Sequence, residues 1–215
     1  MTPQSTTPPD TVHAAQMERR YRWQAATFDL TRRPLLLGRS GLAECVRGAR
    51  AVLEVGCGTG QNLARLRAAA PEARIVGVEC ARSMARRARR RAVPRVEVMQ
   101  ADYGAAALPL GAFDRIVFSY SLSMIPHFAD ALRRASSDLV PGGSLVVLDF
   151  VAAPPPIAAL LRLGGVELGG ARWEWLAGHL AIQDSRERVA WGGLWRYRLV
   201  VAEKRGESAR RMNGV

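Results

Sequence analysis

Three glycines at alternate positions follow a short apolar run near residue 50. Ala51–Val55 is rich in β-branched and aliphatic residues and is stopped by glycine, a pattern that predicts a buried strand. Gly56, Gly58 and Gly60 then form a loop with almost no side chains. Such a loop can adopt positive φ angles and let a ligand lie against the backbone. We therefore predict a cofactor-binding loop at the end of this strand.

The spacing of the glycines indicates which cofactor the loop binds. A dinucleotide fingerprint, G-x-G-x-x-G, requires glycine at the position that Gln61 holds here. An acid precedes the loop, and Glu54-x-Gly56-x-Gly58-x-Gly60 resembles the first motif of the class I S-adenosylmethionine-dependent methyltransferases. In that family the loop wraps the methionine part of the cofactor. The resemblance therefore implies that the cofactor is S-adenosyl-L-methionine.

A second acid lies one βα unit later in the chain. Arg74–Val78 is another short β-branched run, and it ends in Glu79. A carboxylate at such a strand tip can accept hydrogen bonds from both ribose hydroxyls, which is why an acid about 20 residues after the glycines is part of nucleoside-binding patterns. The order of strand, glycines, helix, strand and acid predicts a nucleoside site.

The resemblance also implies contacts to the rest of the cofactor. Members of the family often place an apolar residue over the adenine, where this chain has Met84, and a carboxylate at the adenine amine, where it has Asp102 followed by Tyr103. The expected cofactor-binding residues are Glu54, Gly56, Gly58, Gly60, Asn62, Glu79, Met84, Asp102, Tyr103 and Ser119.

Methyl transfer places loose demands on the catalytic residues. It is an in-line displacement, so alignment of the reacting atoms can supply much of the acceleration. A phenol, imidazole or carboxylate can hold the acceptor while a proton leaves. Tyr120 and His127 lie on the loop after the fourth predicted strand, and Tyr21 lies in the N-terminal segment; these are the expected catalytic residues. Asp149, at the tip of the fifth predicted strand, is a further candidate.

The elements that position these residues alternate between strands and helices, which favours an α/β fold. The resemblance implies a Rossmann-like, seven-stranded class I methyltransferase sheet with helices on both faces and an N-terminal helical lid. Predicted strands are Ala51–Val55, Arg74–Val78, Val96–Met99, Ala112–Phe118, Ser144–Phe150 and, at a sheet edge, Arg196–Ala202, with a turn at Pro141–Gly143. Predicted helices are Asn62–Ala70, Arg82–Ala92, Phe128–Leu139 and Ile157–Leu163.

The length of 215 residues favours one domain, predicted over residues 10–205. Residues 1–9 and the basic tail 206–215 are expected to be disordered, and 10–48 to form the lid. Asp10 is a candidate N-cap for a helix that continues to about Thr27. The apolar side of that helix is predicted to carry Val12, Ala15, Tyr21, Ala25 and Phe28.

Composition restricts the classes of function. The chain has 48% hydrophobic and 23% charged residues and no apolar run long enough to span a bilayer, and its start lacks the features of a secretory signal, so we expect a cytoplasmic protein. Three widely spaced cysteines suggest neither disulfides nor a metal site. The net charge of +12 would attract phosphates or anionic lipid, although arginine is so common here that part of the excess reflects coding bias.

Two stretches resemble a narrower group, the bacterial diacylglyceryl-homoserine and phosphatidylethanolamine N-methyltransferases. They are Tyr21–Arg39 and Ser119–Pro126. This resemblance implies N-methylation of a lipid head-group amine, with peripheral contact between residues 10–39 and an anionic inner membrane face. The alternative is methylation of another small molecule, such as a quinone or polyketide. An NAD-dependent oxidoreductase is disfavoured by the glycine spacing, and a nucleic-acid partner by the lack of a recognition motif. The sequence leaves the oligomeric state open.

Overall fold

Seven strands form one sheet in the computed structural model, which describes residues 12–21, 36–91, 93–105, 108 and 111–204. In chain order the strands are β1 (Ala51–Val55), β2 (Arg74–Glu79), β3 (Val96–Gln100), β4 (Phe113–Ser119), β5 (Leu139–Ala152), β6 (Ala181–Ala190) and β7 (Trp195–Glu203). Their spatial order is β3-β2-β1-β4-β5-β7-β6. β1 to β5 pair with one another in parallel, whereas β7 is antiparallel to both β5 and β6. The predicted seven-stranded α/β fold is confirmed.

Helices cover this sheet and connect its strands. They are α1 (Val12–Tyr21), α2 (Arg39–Cys45), α3 (Gln61–Ala69), α4 (Arg82–Arg91), α5 (Phe128–Asp138), α6 (Pro155–Leu163) and α7 (Ala171–His179), with a 3₁₀ turn at Leu122–Met124. None of the helices in the described ranges is long and apolar enough to cross a bilayer.

The central strands are buried on both faces, as parallel strands flanked by helices must be. Val52, Leu53 and Val55 of β1 are almost completely buried, and Ile116 and Phe118 of β4 lie beside them. Because successive side chains point to opposite faces, Leu53 and Val52 enter two different apolar clusters, one on each side of the sheet. This double layer fixes the carboxyl ends of the strands at one edge, where ligands bind in open α/β sheets.

The C-terminal strands differ from the sequence-based expectation. The strand predicted at a sheet edge is β7, and it lies between β5 and β6. The edge strand is β6, which was not predicted, because most of its side chains are exposed and it carries Arg186, Glu187 and Arg188 in succession. An exposed edge strand needs no apolar pattern, and charges on it prevent pairing with other chains. Helix α7 was also missed.

The predicted turn at Pro141–Gly143 lies within β5, which is assigned as one strand from Leu139 to Ala152. The turn-forming residues interrupt its pairing with β4: Leu139 pairs with Phe113, the next pair is Ser144 with Arg115, and Gly142 has a φ of +73°. The turn is therefore a local irregularity inside the strand.

Among its described residues, the N-terminal helix buries a side that shares only Tyr21 with the predicted one. Ala14, Met17 and Tyr21 are buried, whereas Val12 is 77% exposed and Ala15 is exposed. The buried side is set by packing of α1 against α4, which the local pattern could not reveal. The expected continuation of the helix to Thr27 and the stretch from Phe28 to Arg33 lie outside the described residues, as do 1–9 and 206–215.

Candidate active site

A cavity opens at the carboxyl ends of β1, β2 and β4 and is covered on one side by α1. Its walls come from the glycine loop, the ends of five strands, α1 and the segment that follows α6. The residues that line it are His13, Met17, Tyr21, Leu36, Arg39, Val55, Gly56, Cys57, Gly58, Thr59, Gln61, Asn62, Val78, Glu79, Cys80, Met84, Ala101, Asp102, Tyr103, Ser119, Tyr120, Ser121, Met124, Ile125, Phe150 and Val166.

The three motif glycines have positive φ angles but different surroundings. Gly56, Gly58 and Gly60 have φ values of +70°, +56° and +79°. A Cβ on Gly58 would meet no described atom within 4 Å, so the cavity reaches the backbone there. A Cβ on Gly60 would lie 3.1 Å from Cα of Ala88, so this glycine lets α3 pack closely on α4. Gly60 does not line the cavity, and its role is structural.

Glu79 lies at the tip of β2 and holds the loop in place. Its Oε2 accepts a hydrogen bond of 2.9 Å from the Gly58 N–H, and its Oε1 accepts one of 2.9 Å from the Ala81 N–H. Burial raises the pKa of this carboxyl, and the backbone hydrogen bonds oppose that rise. Each carboxylate oxygen has a second lone pair. Glu79 can therefore accept a pair of ribose hydroxyls while it still orders the loop.

Glu54 lies at the end of β1, behind the loop rather than on the cavity wall. Its Oε1 accepts a hydrogen bond of 2.9 Å from the side-chain amide of Asn62. Glu54 Oε2 and Asn62 Oδ1 are buried and have no hydrogen-bond partner among the described residues. Burial raises the pKa of Glu54 to about 7. Glu54 and Asn62 thus have two acceptor oxygens without a donor, and a cation that carries N–H groups would supply one.

Arg39 provides positive charge at the same end of the cavity. It begins α2, and its Nε donates a hydrogen bond of 3.3 Å to Ser119 Oγ at the end of β4. Its charge opposes the rise in the pKa of Glu54. Asn62 on the cavity wall, with Glu54 directly behind it, and the Arg39 guanidinium suit a group that carries both an ammonium and a carboxylate, as the methionine part of S-adenosylmethionine does.

The expected adenine residues also meet in the cavity. Met84 is buried on α4, and Asp102 and Tyr103 follow β3. The Tyr103 hydroxyl is used elsewhere, because it donates a hydrogen bond of 2.9 Å to Asp138 on α5. Only its ring is therefore available to a ligand, whereas the Asp102 carboxylate borders the cavity.

Two of the three expected catalytic residues line the cavity. The Tyr120 hydroxyl donates a hydrogen bond of 2.7 Å to the Leu37 carbonyl, and burial raises its pKa. It therefore stays a neutral phenol that holds the segment before α2. Tyr120 also has a φ of +55°, and such strain persists where the surroundings impose it. The Tyr21 hydroxyl lies 3.3 Å from Met124 Sδ across the cavity wall.

The other two candidates lie outside the cavity wall. His127 is exposed, and its carbonyl accepts hydrogen bonds from the first turn of α5. Asp149 is fully buried, and it accepts hydrogen bonds of 2.7 Å from both the N–H and the hydroxyl of Ser123, and one of 2.8 Å from the Phe150 N–H. Its carboxylate fastens the 3₁₀ turn to β5, so neither side chain is placed to touch a ligand.

Sequence reasoning missed several residues that line the cavity, chiefly His13, Met17, Arg39, Phe150 and Val166. His13 is the most notable, because its Nδ1 is buried without a hydrogen-bond partner in the described part of the chain. Burial lowers the pKa of this imidazole, which is therefore neutral at pH 7. The sequence did contain a signal for this side of α1, because His13, Met17 and Tyr21 follow helical spacing. The side predicted from Val12 is exposed instead.

Comparisons with known proteins agree with this geometry. Residues 52–143 match the family model described as a methyltransferase domain. Demethylmenaquinone methyltransferase of Thermus thermophilus is 35% identical over 53% of this chain and 52% of its own length. Trans-aconitate 2-methyltransferase of Methylobacterium nodulans is 35% identical over 65% of this chain and 59% of its own length. The chain thus spans little more than half the length of these relatives.

A solved structure extends the similarity to most of the chain. The N-methyltransferase NodS from Bradyrhizobium japonicum, in complex with S-adenosyl-L-homocysteine, superposes with a TM-score of 0.65 at 16% identity over 93% of this chain and 94% of that chain. Such low identity shows the shared fold alone. The fold, the cavity and the match of residues 52–143 to the methyltransferase-domain model thus agree with one another, and S-adenosylmethionine is the cofactor that they imply.

Proposed function

We propose that the protein transfers a methyl group from S-adenosylmethionine to a small acceptor with an apolar body, on oxygen or carbon. One observation carries the choice of acceptor: apart from Arg39, Ser119 and Ser121, the cavity wall on the β4 and β5 side of the glycine loop is apolar and aromatic. That wall comprises Tyr21, Leu36, Tyr120, Met124, Ile125, Phe150 and Val166. An aromatic or quinone-like body suits such a wall, because apolar pockets select ligands by shape and apolar area.

The position of the cavity's acids supports the same choice. Among the described lining residues, the carboxylates are Glu79 and Asp102, which lie at β2 and after β3 on the far side of β1. Both are expected to bind the nucleoside. The described acceptor side therefore offers no carboxylate to hold an ammonium, and a tricarboxylate would find only Arg39 as a cation there. A quinone-like acceptor requires neither charge.

The chain's own residues act by binding, orienting and excluding water. Bound S-adenosylmethionine supplies an electrophilic methyl group on a sulfonium. Glu79 and Asp102 would hold the nucleoside, and Arg39 with Glu54 and Asn62 the methionine part. Tyr120, tied to the Leu37 carbonyl, and Tyr21, against Met124, form walls that align an acceptor with the methyl group. Alignment of this kind can lower the barrier by several kcal/mol, of the order of 7 or more in the best cases.

Methylation of a lipid head-group amine is the second candidate. The rings of Tyr120 and Phe150 lie 4.7 Å apart at the β4–β5 end, and aromatic faces attract ammonium groups. The name of one relative, which refers to a quinone, favours the first candidate, and neither that name nor that of the trans-aconitate enzyme refers to a lipid amine. Similarity to an N-methyltransferase lies at the level of fold alone.

An acceptor panel tests the proposal. Purified protein with methyl-labelled S-adenosylmethionine is offered hydroquinones and phenols with apolar tails, trans-aconitate, and lipids with ethanolamine head groups. We expect transfer to the first set, and Glu79→Ala should abolish it by removing the ribose acceptor. Gly58→Val should act similarly by filling the open space at φ +56°. Exposed Glu44→Ala is the matched control. Methyl transfer to the amines alone would contradict the proposed acceptor and support the second candidate, a lipid head-group amine.

A further inference from the structure

An apolar surface lies exposed at the same end of the molecule as the cavity. Leu160 and Leu163 on α6 are 64% and 80% exposed, and Trp191 and Leu194 in the turn between β6 and β7 are 57% and 44% exposed. We call this set the apical patch. Large apolar side chains grouped in this way on a protein surface mark interaction sites.

Topology brings the two halves of the apical patch together. Ala152, the last residue of β5, pairs with Arg196 near the start of β7, and α6 begins at Pro155. The start of α6 and the turn between β6 and β7 therefore both lie close to this paired position at the carboxyl end of the sheet. Leu161 of α6 and Trp195 after the turn also belong to one apolar cluster.

Helix α6 is apolar on its exposed side as well as on its inner side. Ala158 is buried and Leu161 half-buried, while Leu160 and Leu163 face outward. A helix that is apolar all round is normally covered on every side. The outer side of α6 thus has the apolar composition of a contact surface, yet it is exposed to solvent in this structure.

Charge indicates what covers the patch. Arg162 is the charged residue from 154 to 166, followed directly by the exposed Glu167, and Arg188 and Arg196 are the charged residues from 188 to 196, preceded directly by Glu187. Arg196 pairs at 2.9 Å with Glu187 just outside, and Arg162 and Arg188 are exposed. A second copy of the chain would bring arginines against arginines across a two-fold axis. Leucines and a tryptophan bordered by arginines suit an anionic bilayer surface.

We propose that the apical patch docks the protein on anionic membranes, with Leu160, Leu163, Trp191 and Leu194 in the interface and Arg162 and Arg188 at the lipid phosphates. The cavity opens toward the same side, since Val166, three residues beyond Leu163, lines it. Arg20 of α1 donates a hydrogen bond of 2.7 Å to the Gly164 carbonyl between them. This surface is distinct from residues 10–39, whose membrane contact stays a prediction, and the proposal stands whichever acceptor is methylated.

Vesicle binding of the full-length protein tests the proposal, with phosphatidylcholine vesicles that contain or lack phosphatidylglycerol. We expect binding that requires the anionic lipid and weakens with salt. Leu160→Ser combined with Leu163→Ser should lower the affinity by about tenfold or more, because two apolar side chains leave the interface. Ile182→Ser, at the other end of β6 and 41% exposed, is the matched control and should bind normally.

The contribution of the arginines and the insertion of the apolar side chains can be measured separately. Arg162→Gln with Arg188→Gln should weaken binding about fivefold for each arginine, and more than Arg86→Gln with Arg90→Gln on α4. Vesicles should shift the tryptophan emission of the wild type to the blue, and Trp191→Phe should reduce that shift. Absence of vesicle binding would overturn the proposal. The proposal would also be overturned if both arginine double variants lost vesicle binding equally while the leucine double variant bound normally. A third contrary result would be a dimer, seen by sedimentation, that the leucine double variant dissociates.

Discussion

Glu54 carries a cost to stability that a bound ligand could offset. Its carboxyl is fully buried, and one oxygen lacks a hydrogen-bond partner in the described structure. A ligand ammonium would supply that partner, which would explain why an acid occupies this position. Functional residues commonly oppose stability in this way, because a site shaped for a charged ligand is imperfectly satisfied without it.

Glu54→Gln should therefore stabilise the protein at alkaline pH. The folded-state pKa is raised from 4.5 to about 7, so the folded protein holds this proton more tightly than the unfolded chain does. The contribution of Glu54 to the free energy of unfolding is then largest below about pH 4.5 and falls as the pH rises through 7, by roughly 3 kcal/mol in total. Glutamine does not ionise and avoids this loss. Urea unfolding at pH 5 and pH 8 measures the difference.

The same variant should bind S-adenosylmethionine about tenfold more weakly, because a charge-assisted hydrogen bond to the ammonium is lost. Glu44→Gln, an exposed acid, should change neither property. If the Glu54→Gln protein were less stable than the wild type at pH 8, the Glu54 carboxylate would have to have a stabilising partner within the folded protein.

At the scale of elements, α1 is fastened over the cavity by two contacts to distant parts of the chain. Glu18 Oε2 accepts hydrogen bonds of 2.8 Å from the Ser83 N–H and 3.1 Å from the Ser83 hydroxyl, at the first turn of α4. Arg20 binds the Gly164 carbonyl after α6. The carboxylate thus serves as a cap from another helix, satisfying an N–H that has no partner within α4. That α1 acts as a lid stays a prediction.

Glu18→Ala should loosen α1 and weaken cofactor binding. The loss of a cap costs about 1 kcal/mol, and the walls formed by His13, Met17 and Tyr21 depend on the same helix. We expect a threefold to tenfold rise in the dissociation constant for S-adenosylmethionine, measured by calorimetric titration. Arg19→Ala, at the next and exposed position of α1, is the control. Equal affinity in the Glu18 variant and the wild type would show that α1 does not need this contact to close the cavity.

For the whole molecule, the cofactor should raise the melting temperature selectively. A ligand that binds only the folded state stabilises it by about 2.7 kcal/mol at a concentration of 100 times its dissociation constant. For a domain of this size, that corresponds to a shift of roughly 5–10 °C. We expect the shift with S-adenosylmethionine or S-adenosylhomocysteine and none with NAD, in a thermal denaturation assay. Stabilisation by NAD alone would contradict the glycine-spacing argument.

The sequence by itself determined the parts of this protein that depend on neighbours along the chain. The limits of β1 to β4, the glycine loop and Glu79 at a strand tip were predictable, because alternation, glycine and strand-end acids are read within a few residues. The resemblance to class I methyltransferases added Met84, Asp102 and Tyr103, and the position after the fourth strand added Ser119; all four line the cavity.

Tertiary structure decided which residues meet across the sheet. His13, Arg39, Phe150 and Val166 come from four separate segments, and only the packing of α1, α2 and the segment after α6 against the strand ends brings them to one cavity. Tyr120 and His127 lie on the same loop, yet one faces the cavity and the other faces solvent. β7 is an inner strand because it hydrogen-bonds to β5, and this leaves β6 at that edge of the sheet. Contacts between segments far apart in the chain fix these outcomes, and no local pattern encodes them.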